Sequence, residues 1–179
     1  MKNPPFSLAR ASARGFAAGL LATTTMTGGM FVLQKSGLLG RMPPRLMTER
    51  LLARLGLRRK TSRRSRKLLT AAMHYGFGGA MGSLFEVGKS ALAARRGRAP
   101  SSAIVGSGIA FGTLVWLASY AGWIPIAGLM PRPTSDRPGR PTSMMIAHWI
   151  FGGTLGAIDV LGTPGTRFAS SPTEVKHEG

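Results

Sequence analysis

The sequence predicts an all-α, polytopic membrane protein with four transmembrane helices in two parallel helix-loop-helix repeats. Three observations point there. Residues 99–131 run for 33 positions without one charged side chain, whereas a soluble helix needs a polar face. Four stretches are long and apolar enough for a hydrocarbon core of ~30 Å, which takes roughly 20 residues of helix. The pattern His-x-x-Phe-Gly-Gly-x-x-Gly occurs twice, each time followed by an acid. A soluble helical bundle is the competing reading. A single domain of 179 residues offers too little protein to cover so long an uncharged segment on every side.

Residues 1–14 form a basic tail with Lys2, Arg10 and Arg14. The first span, 15–34, is uncharged. It resembles a signal peptide in its basic flank, but no small-x-small cleavage site follows and the apolar stretch is long, so it reads as a retained helix. Residues 41–67 form a basic loop. Within it Met47, Leu51, Leu52 and Leu55 share one arc at helical period, with Glu49, Arg50, Ala53 and Arg54 opposite. That is a short amphipathic helix suited to the interface plane. Seven cations follow in ten residues: Arg58, Arg59, Lys60, Arg63, Arg64, Arg66 and Lys67. The second span, 68–88, carries His74 and Glu86. The third, 102–124, ends at Pro125, which cannot continue the helical ladder. The fourth, 142–161, carries His148 and Asp159, and the membrane domain closes at 163, before a polar tail over 164–179.

The second and fourth spans align through His74, Phe77, Gly78, Gly79 and Gly82 with His148, Phe151, Gly152, Gly153 and Gly156. The first and third align through Gly15 and Gly19 with Gly108 and Gly112, followed by "GLLGRMPPR" and "IAGLMPRP". Each unit crosses twice, so the two copies share one topology, related by an axis along the membrane normal. Each span holds one Gly-x-x-x-Gly pair: 15/19, 78/82, 108/112 and 152/156. With 25 glycines in the chain, composition alone yields three or four such pairs, so their matched placement is the signal, not their number. Such faces admit a neighbouring backbone. They serve the sister repeat or a second copy of the chain equally well, and a homo-oligomer is the expected state.

Net charge is +18, and 12 of the 24 Lys and Arg lie between Lys35 and Lys67. The partners this predicts are membrane lipids with anionic headgroups, each cation contributing ~1 kcal/mol near the surface. A solvated loop that only sets topology is the plainer reading. Nucleic acid is not expected, because no aromatic interleaves the run to stack on bases. The first and third loops carry twelve and three cations; the tails and second loop carry three, two and four. Positive-inside bias then puts the Met-Pro loops in the cytoplasm, and the expected location is the cell inner membrane with multiple passes.

Ionisable groups inside a bilayer are costly and face a partner or water. His74, His148, Glu86 and Asp159 are therefore a candidate intramembrane polar site for a proton or small solute. The plainer reading gives each neutral histidine one hydrogen bond to a facing carbonyl or hydroxyl, and pairs Glu86 with Lys89 and Asp159 across helices. Nothing positive supports an enzyme. "GSLFEVGKS", 82–90, has five residues between its glycines where a phosphate loop needs four, and no strand precedes it. There is no cysteine, so disulfides and thiolate metal sites are excluded, and no cofactor or metal is implied.

The Met-Pro-Pro-Arg loop at 42–45, the "GLMPRP" loop and the two His-x-x-Phe helices together resemble the YagU-like group of small bacterial inner-membrane proteins, over about 15–161. The resemblance implies a polytopic helical protein and carries over no catalytic residue; the arginine tract at 58–67 departs from it. The function expected is thus a structural or anionic-lipid-interacting membrane component, with a small transporter or proton-linked channel as the alternative.

Overall fold

The computed structural model describes residues 7–96 and 99–162, and helices are the only regular structure among them. Residues 1–6 of the expected N-terminal tail and the whole expected C-terminal tail, 164–179, with residue 163, lie outside the described residues. In chain order the elements are α1 (Leu8–Lys35), α2 (Pro43–Arg54), α3 (Arg63–Arg96), α4 (Ser101–Trp116), a π-helical segment (Leu117–Trp123), α5 (Ile124–Ile126), a 3-10 turn (Pro133–Ser135) and α6 (Arg140–Leu161). α1 packs on α3 and α6, and α4 packs on α6, giving the lateral order α3, α1, α6, α4. α3 and α4 meet through Phe85 and Phe111, whose rings lie 5.3 Å apart.

Three helices are long and apolar enough to cross a membrane: Leu8–Lys35, Ser101–Ile126 and Arg140–Leu161. α3 falls short by composition, because His74, Tyr75 and a run of glycines dilute its apolar content. The outer faces fit a lipid solvent. Leu21, Phe31, Leu84, Leu114 and Trp149 are each more than 40% exposed, whereas water-soluble monomers seldom expose large contiguous apolar areas. Hydroxyls inside α1 are satisfied by its own backbone: Thr23 donates to the Gly19 carbonyl at 2.7 Å and Thr27 to that of Thr23 at 2.7 Å. That removes the cost of a bare polar group in an apolar medium.

Two expected boundaries shift, and the expected face of α2 holds in part. α3 begins at Arg63, so the second half of the arginine tract is helical and not loop; Ser62 accepts from the Ser65 amide at 3.1 Å and caps it. The third span extends past Pro125 to Ile126: a π-helical segment precedes it, Gly122 leaves helical geometry at φ −99°, ψ −108°, and Pro125 stands in the first turn of α5, where its missing N–H is tolerated. Of the expected arc of α2, Leu52 is buried and Met47 and Leu51 pack partly buried against the core, joined by buried Pro43, Leu46 and Thr48, while Leu55 lies exposed beyond the helix end. α2 thus docks on the bundle through most of the expected arc. The cause is visible in its arginines. Arg50 donates to the Leu129 carbonyl at 2.9 Å and Arg54 to that of Ala127.

The reverse contacts come from the other loop. Arg137 donates to the Gly37 carbonyl at 3.1 Å and Arg140 to that of Leu39 at 3.1 Å. Each Met-Pro loop thus caps the other. Both turn on a glycine in the sequence Gly-x-Met-Pro, with φ +68° at Gly40 and +60° at Gly128, a region that L side chains avoid. Asp136 anchors this end, accepting from Arg140 at 2.6 Å, from the Tyr120 hydroxyl at 2.7 Å and from the Arg137 amide at 2.7 Å.

Candidate functional site

The four Gly-x-x-x-Gly pairs lie on two helix crossings. On α1 and α3, a Cβ at Gly19 would strike the backbone of Gly78 and Gly79, and one at Gly82 the backbone of Gly15 and Gly19. On α4 and α6, a Cβ at Gly108 would strike the backbone of Gly152 and Gly156, and one at Gly112 that of His148 and Gly152. The contacts revise the expected register of the first and third spans. Gly19 lies on Gly78 as Gly108 lies on Gly152, and Thr23 holds the place of Gly112. By contact alone Gly19 matches Gly108, one helical turn away from the pairing by Gly-x-x-x-Gly. Short equal spacings made the two registers indistinguishable in the sequence.

The four ionisable residues of the candidate polar site divide into two groups. Glu86 and Asp159, 7% and 5% exposed, lie together at the N-terminal end of α1. Lys89 reaches Glu86 at 3.2 Å and also pairs with Asp159; Arg14 reaches Asp159 at 3.4 Å and Glu86 at 3.9 Å. The cross-helix partner expected for Asp159 is thus Lys89 with Arg14. Among the described residues two cations face these two carboxylates, which offsets the adverse helix-dipole position of Asp159, two residues from the end of α6; Glu86 stands ten residues before the end of α3, outside its last turn.

His74 and His148 lie elsewhere. His74 stands 12 residues before Glu86 on the same helix, ~18 Å by the rise of 1.5 Å per residue. The two histidines line one cavity of about 260 Å³ near the Met-Pro loops. His74 Nε2 is 3.2 Å from the Thr27 hydroxyl of α1. His148 Nδ1 is 2.7 Å from the Met144 carbonyl of its own helix, a turn back, and not from a facing one. The walls are mostly thioether and ring: Met26, Met30, Met47, Met73, Met81, Met130 and Met144, with Phe77 and Phe151. Seven of the ten methionines in the chain converge there. They come from four helices, α1, α2, α3 and α6, and from the loop at Met130, so no local spacing marks the convergence.

Beside this cavity lies a second, wider basin of about 1030 Å³. Arg41, Arg45, Arg58, Arg63, Arg64, Arg66 and Lys67 surround it. Among the described residues the one acid on its rim, Glu49, accepts from Arg45 at 2.8 Å, and that hydrogen bond holds its carboxyl below the ordinary value of 4.5. Of the seven cations expected to bind lipid, five line the basin; Arg59 and Lys60 do not. Arg41 and Arg45 join instead, because Pro43 and Pro44 turn the chain into α2 and bring both beside the start of α3. Four cations in the first turns of α3 also stand at the positive end of its dipole, an arrangement that costs stability until an anion arrives. The described residues hold no cluster of three or more His, Cys, Asp or Glu suited to a metal.

Comparison with protein-family models, curated proteins and solved structures found no match.

Proposed function

We propose that this chain is a multi-pass inner-membrane protein of four crossings in two parallel repeats, acting as a structural, anionic-lipid-interacting component of the bilayer. The observation that carries it is the basin of seven cations with one paired acid at the loop end of an apolar-faced bundle. An anionic headgroup layer is the nearest partner of that chemistry, at ~1 kcal/mol per cation within a Debye length. The fourth crossing in this reading is α3. It is 34 residues long and meets α1 through backbone-close glycines, so it would travel through the bilayer beside α1. The repeat draws support from the matched contacts of Gly19 and Gly108 and from the matched turns at Gly40 and Gly128. Kinship with the YagU-like group is part of the proposal and rests on the Met-Pro and His-x-x-Phe motifs.

Native mass spectrometry from detergent tests it. The wild-type chain should retain anionic phospholipid in preference to zwitterionic, and a variant with Arg58, Arg63, Arg64, Arg66 and Lys67 replaced by Gln should lose that preference. Equal retention of both lipids by the wild type refutes the reading. The same spectra report whether the chain forms a homo-oligomer.

A proton-linked channel or transporter is the second reading, favoured by the shared cavity of His74 and His148. Against it, Gly152 and Gly108 meet backbone to backbone, which leaves no room for water along that seam. Cysteine placed at His148 or Gly152 should resist a membrane-impermeant maleimide in the packed bundle and react in a channel.

A further inference from the structure

The cavity and the basin are contiguous. Met30, Pro44, Thr70 and His74 line both. The cavity is closed at its back by Met26, Tyr120 and Phe151, each no more than 7% exposed. On the other side it opens where α3 and α4 diverge: Met73, Phe77 and Trp123 stand at the rim and are 37%, 38% and 46% exposed. We propose that the two volumes form one site for a single anionic phospholipid of the bilayer, with its headgroup in the basin and one acyl chain in the methionine-lined cavity. The inference rests on the lipid-interacting reading above, and adds that the lipid is held singly, with a chain inside the protein.

Four features converge on that occupant. Protein interiors are close-packed, with few voids larger than a water, so about 260 Å³ of cavity walled by apolar groups is a volume to be filled. An engineered apolar cavity of about 150 Å³ stays dry and accepts benzene; this one has room for a longer apolar group. Methionine walls adapt to a flexible chain, because the thioether side chain is unbranched and polarisable. The lateral rim admits a chain sideways from the bilayer, while the adjoining basin supplies cations for a phosphate at one end only. A neutral lipid would leave those cations unpaired, and a soluble anion would leave the cavity empty. His74 and Thr70, at the junction, meet the region where an ester linkage would lie.

The test uses the full chain in phosphatidylcholine nanodiscs doped with phosphatidylglycerol carrying a diazirine in one acyl chain. Photolysis and peptide mapping should place label on Met26, Met81 or Phe151, saturating at one per chain and displaced by unlabelled phosphatidylglycerol. A phosphatidylcholine probe should label these positions at least fivefold less. Met81→Trp, which fills the cavity, should cut interior labelling about tenfold; Arg63→Gln with Lys67→Gln should abolish the headgroup preference. Label confined to outward residues such as Leu84 and Leu114, with anionic preference kept, overturns the internal site and leaves surface lipid binding standing. Interior label without headgroup preference overturns the single anionic site. Absence of any anionic preference, in labelling or in retained lipid, overturns both readings. Should Met81→Trp fail to fold, judged by circular dichroism, the wild-type map decides alone.

Discussion

Gly152 and Gly153 are adjacent on α6, and the same substitution should have opposite consequences at the two. A Cβ at Gly152 would lie 2.8 Å from the Gly108 carbonyl carbon and 3.1 Å from the Gly112 Cα, both backbone atoms. Ordinary contact begins at 3.4 Å, and neither atom can rotate away. α4 and α6 must therefore part by about half an ångström or more, which forfeits a quarter to a half of each affected contact. Overpacking of this kind costs about 1–3 kcal/mol. Alanine returns about 0.5–1 kcal/mol of helix propensity over glycine. Gly152→Ala should thus destabilise by about 1–2 kcal/mol. At Gly153 a Cβ meets only the Ile109 Cγ1 at 3.7 Å, and at Gly106 it meets nothing within 4 Å. There the propensity term stands alone, and alanine should be neutral or stabilising by about 0.5–1 kcal/mol. Thermal unfolding in detergent, followed by circular dichroism at 222 nm, reads the difference. Equal melting temperatures for Gly152→Ala and Gly153→Ala would refute the claim that backbone contact holds this crossing.

The remaining predictions concern the two polar ends and the loop. Lys89→Met should destabilise more than Arg14→Met, because the Lys89 side chain is 24% exposed and lies closer to both carboxylates, whereas Arg14 is 44% exposed and reaches Glu86 only at 3.9 Å. Breaking a fully buried pair costs about 3–5 kcal/mol; partial exposure and the surviving Arg14 keep the loss below that, and melting curves of the two variants give the order. Tyr120→Phe removes a hydroxyl donor to the Asp136 carboxylate and should cost about 1.5–3 kcal/mol. Tyr75→Phe, whose hydroxyl meets Thr24 only at 3.4 Å in an exposed position, should stay within about 0.5 kcal/mol in the same assay. Glu49 binds its proton more weakly folded than unfolded, so its contribution is present above its ordinary value of 4.5 and is lost as pH falls through the lowered one. Glu49→Gln should accordingly lower the melting temperature slightly at pH 7, and the gap to wild type should close on acidification.

Helix type and approximate span were legible because hydrophobic length is a property of contiguous residues. The uncharged run at 99–131 marked α4 and its π-helical extension directly. The His-x-x-Phe motifs marked two helices that do line one cavity. What could not be read depends on residues far apart in the chain. Arg50 and Arg54 find carbonyls 79 and 73 positions away, and Asp159 finds Lys89 seventy positions back. Arg41 and Arg45 joined the basin only because a proline-started helix redirected the chain. The methionine cavity needed four helices and the loop at Met130 placed at once. The glycine register was a smaller matter: two offsets satisfied the same spacing, and only the contacts of Thr23 and Gly112 separated them.

The number and direction of crossings test the account most directly, and the chain's lack of cysteine makes the measurement clean. Single replacements Ser36→Cys, Ser101→Cys and Ser135→Cys fall at exposed positions beside the first, second and third connections. In intact cells a membrane-impermeant maleimide should modify Ser101→Cys alone; after the membrane is opened, Ser36→Cys and Ser135→Cys should react as well. Modification of all three in intact cells, or of Ser101→Cys together with only one of the others, would contradict four antiparallel crossings with both Met-Pro loops on the cytoplasmic side.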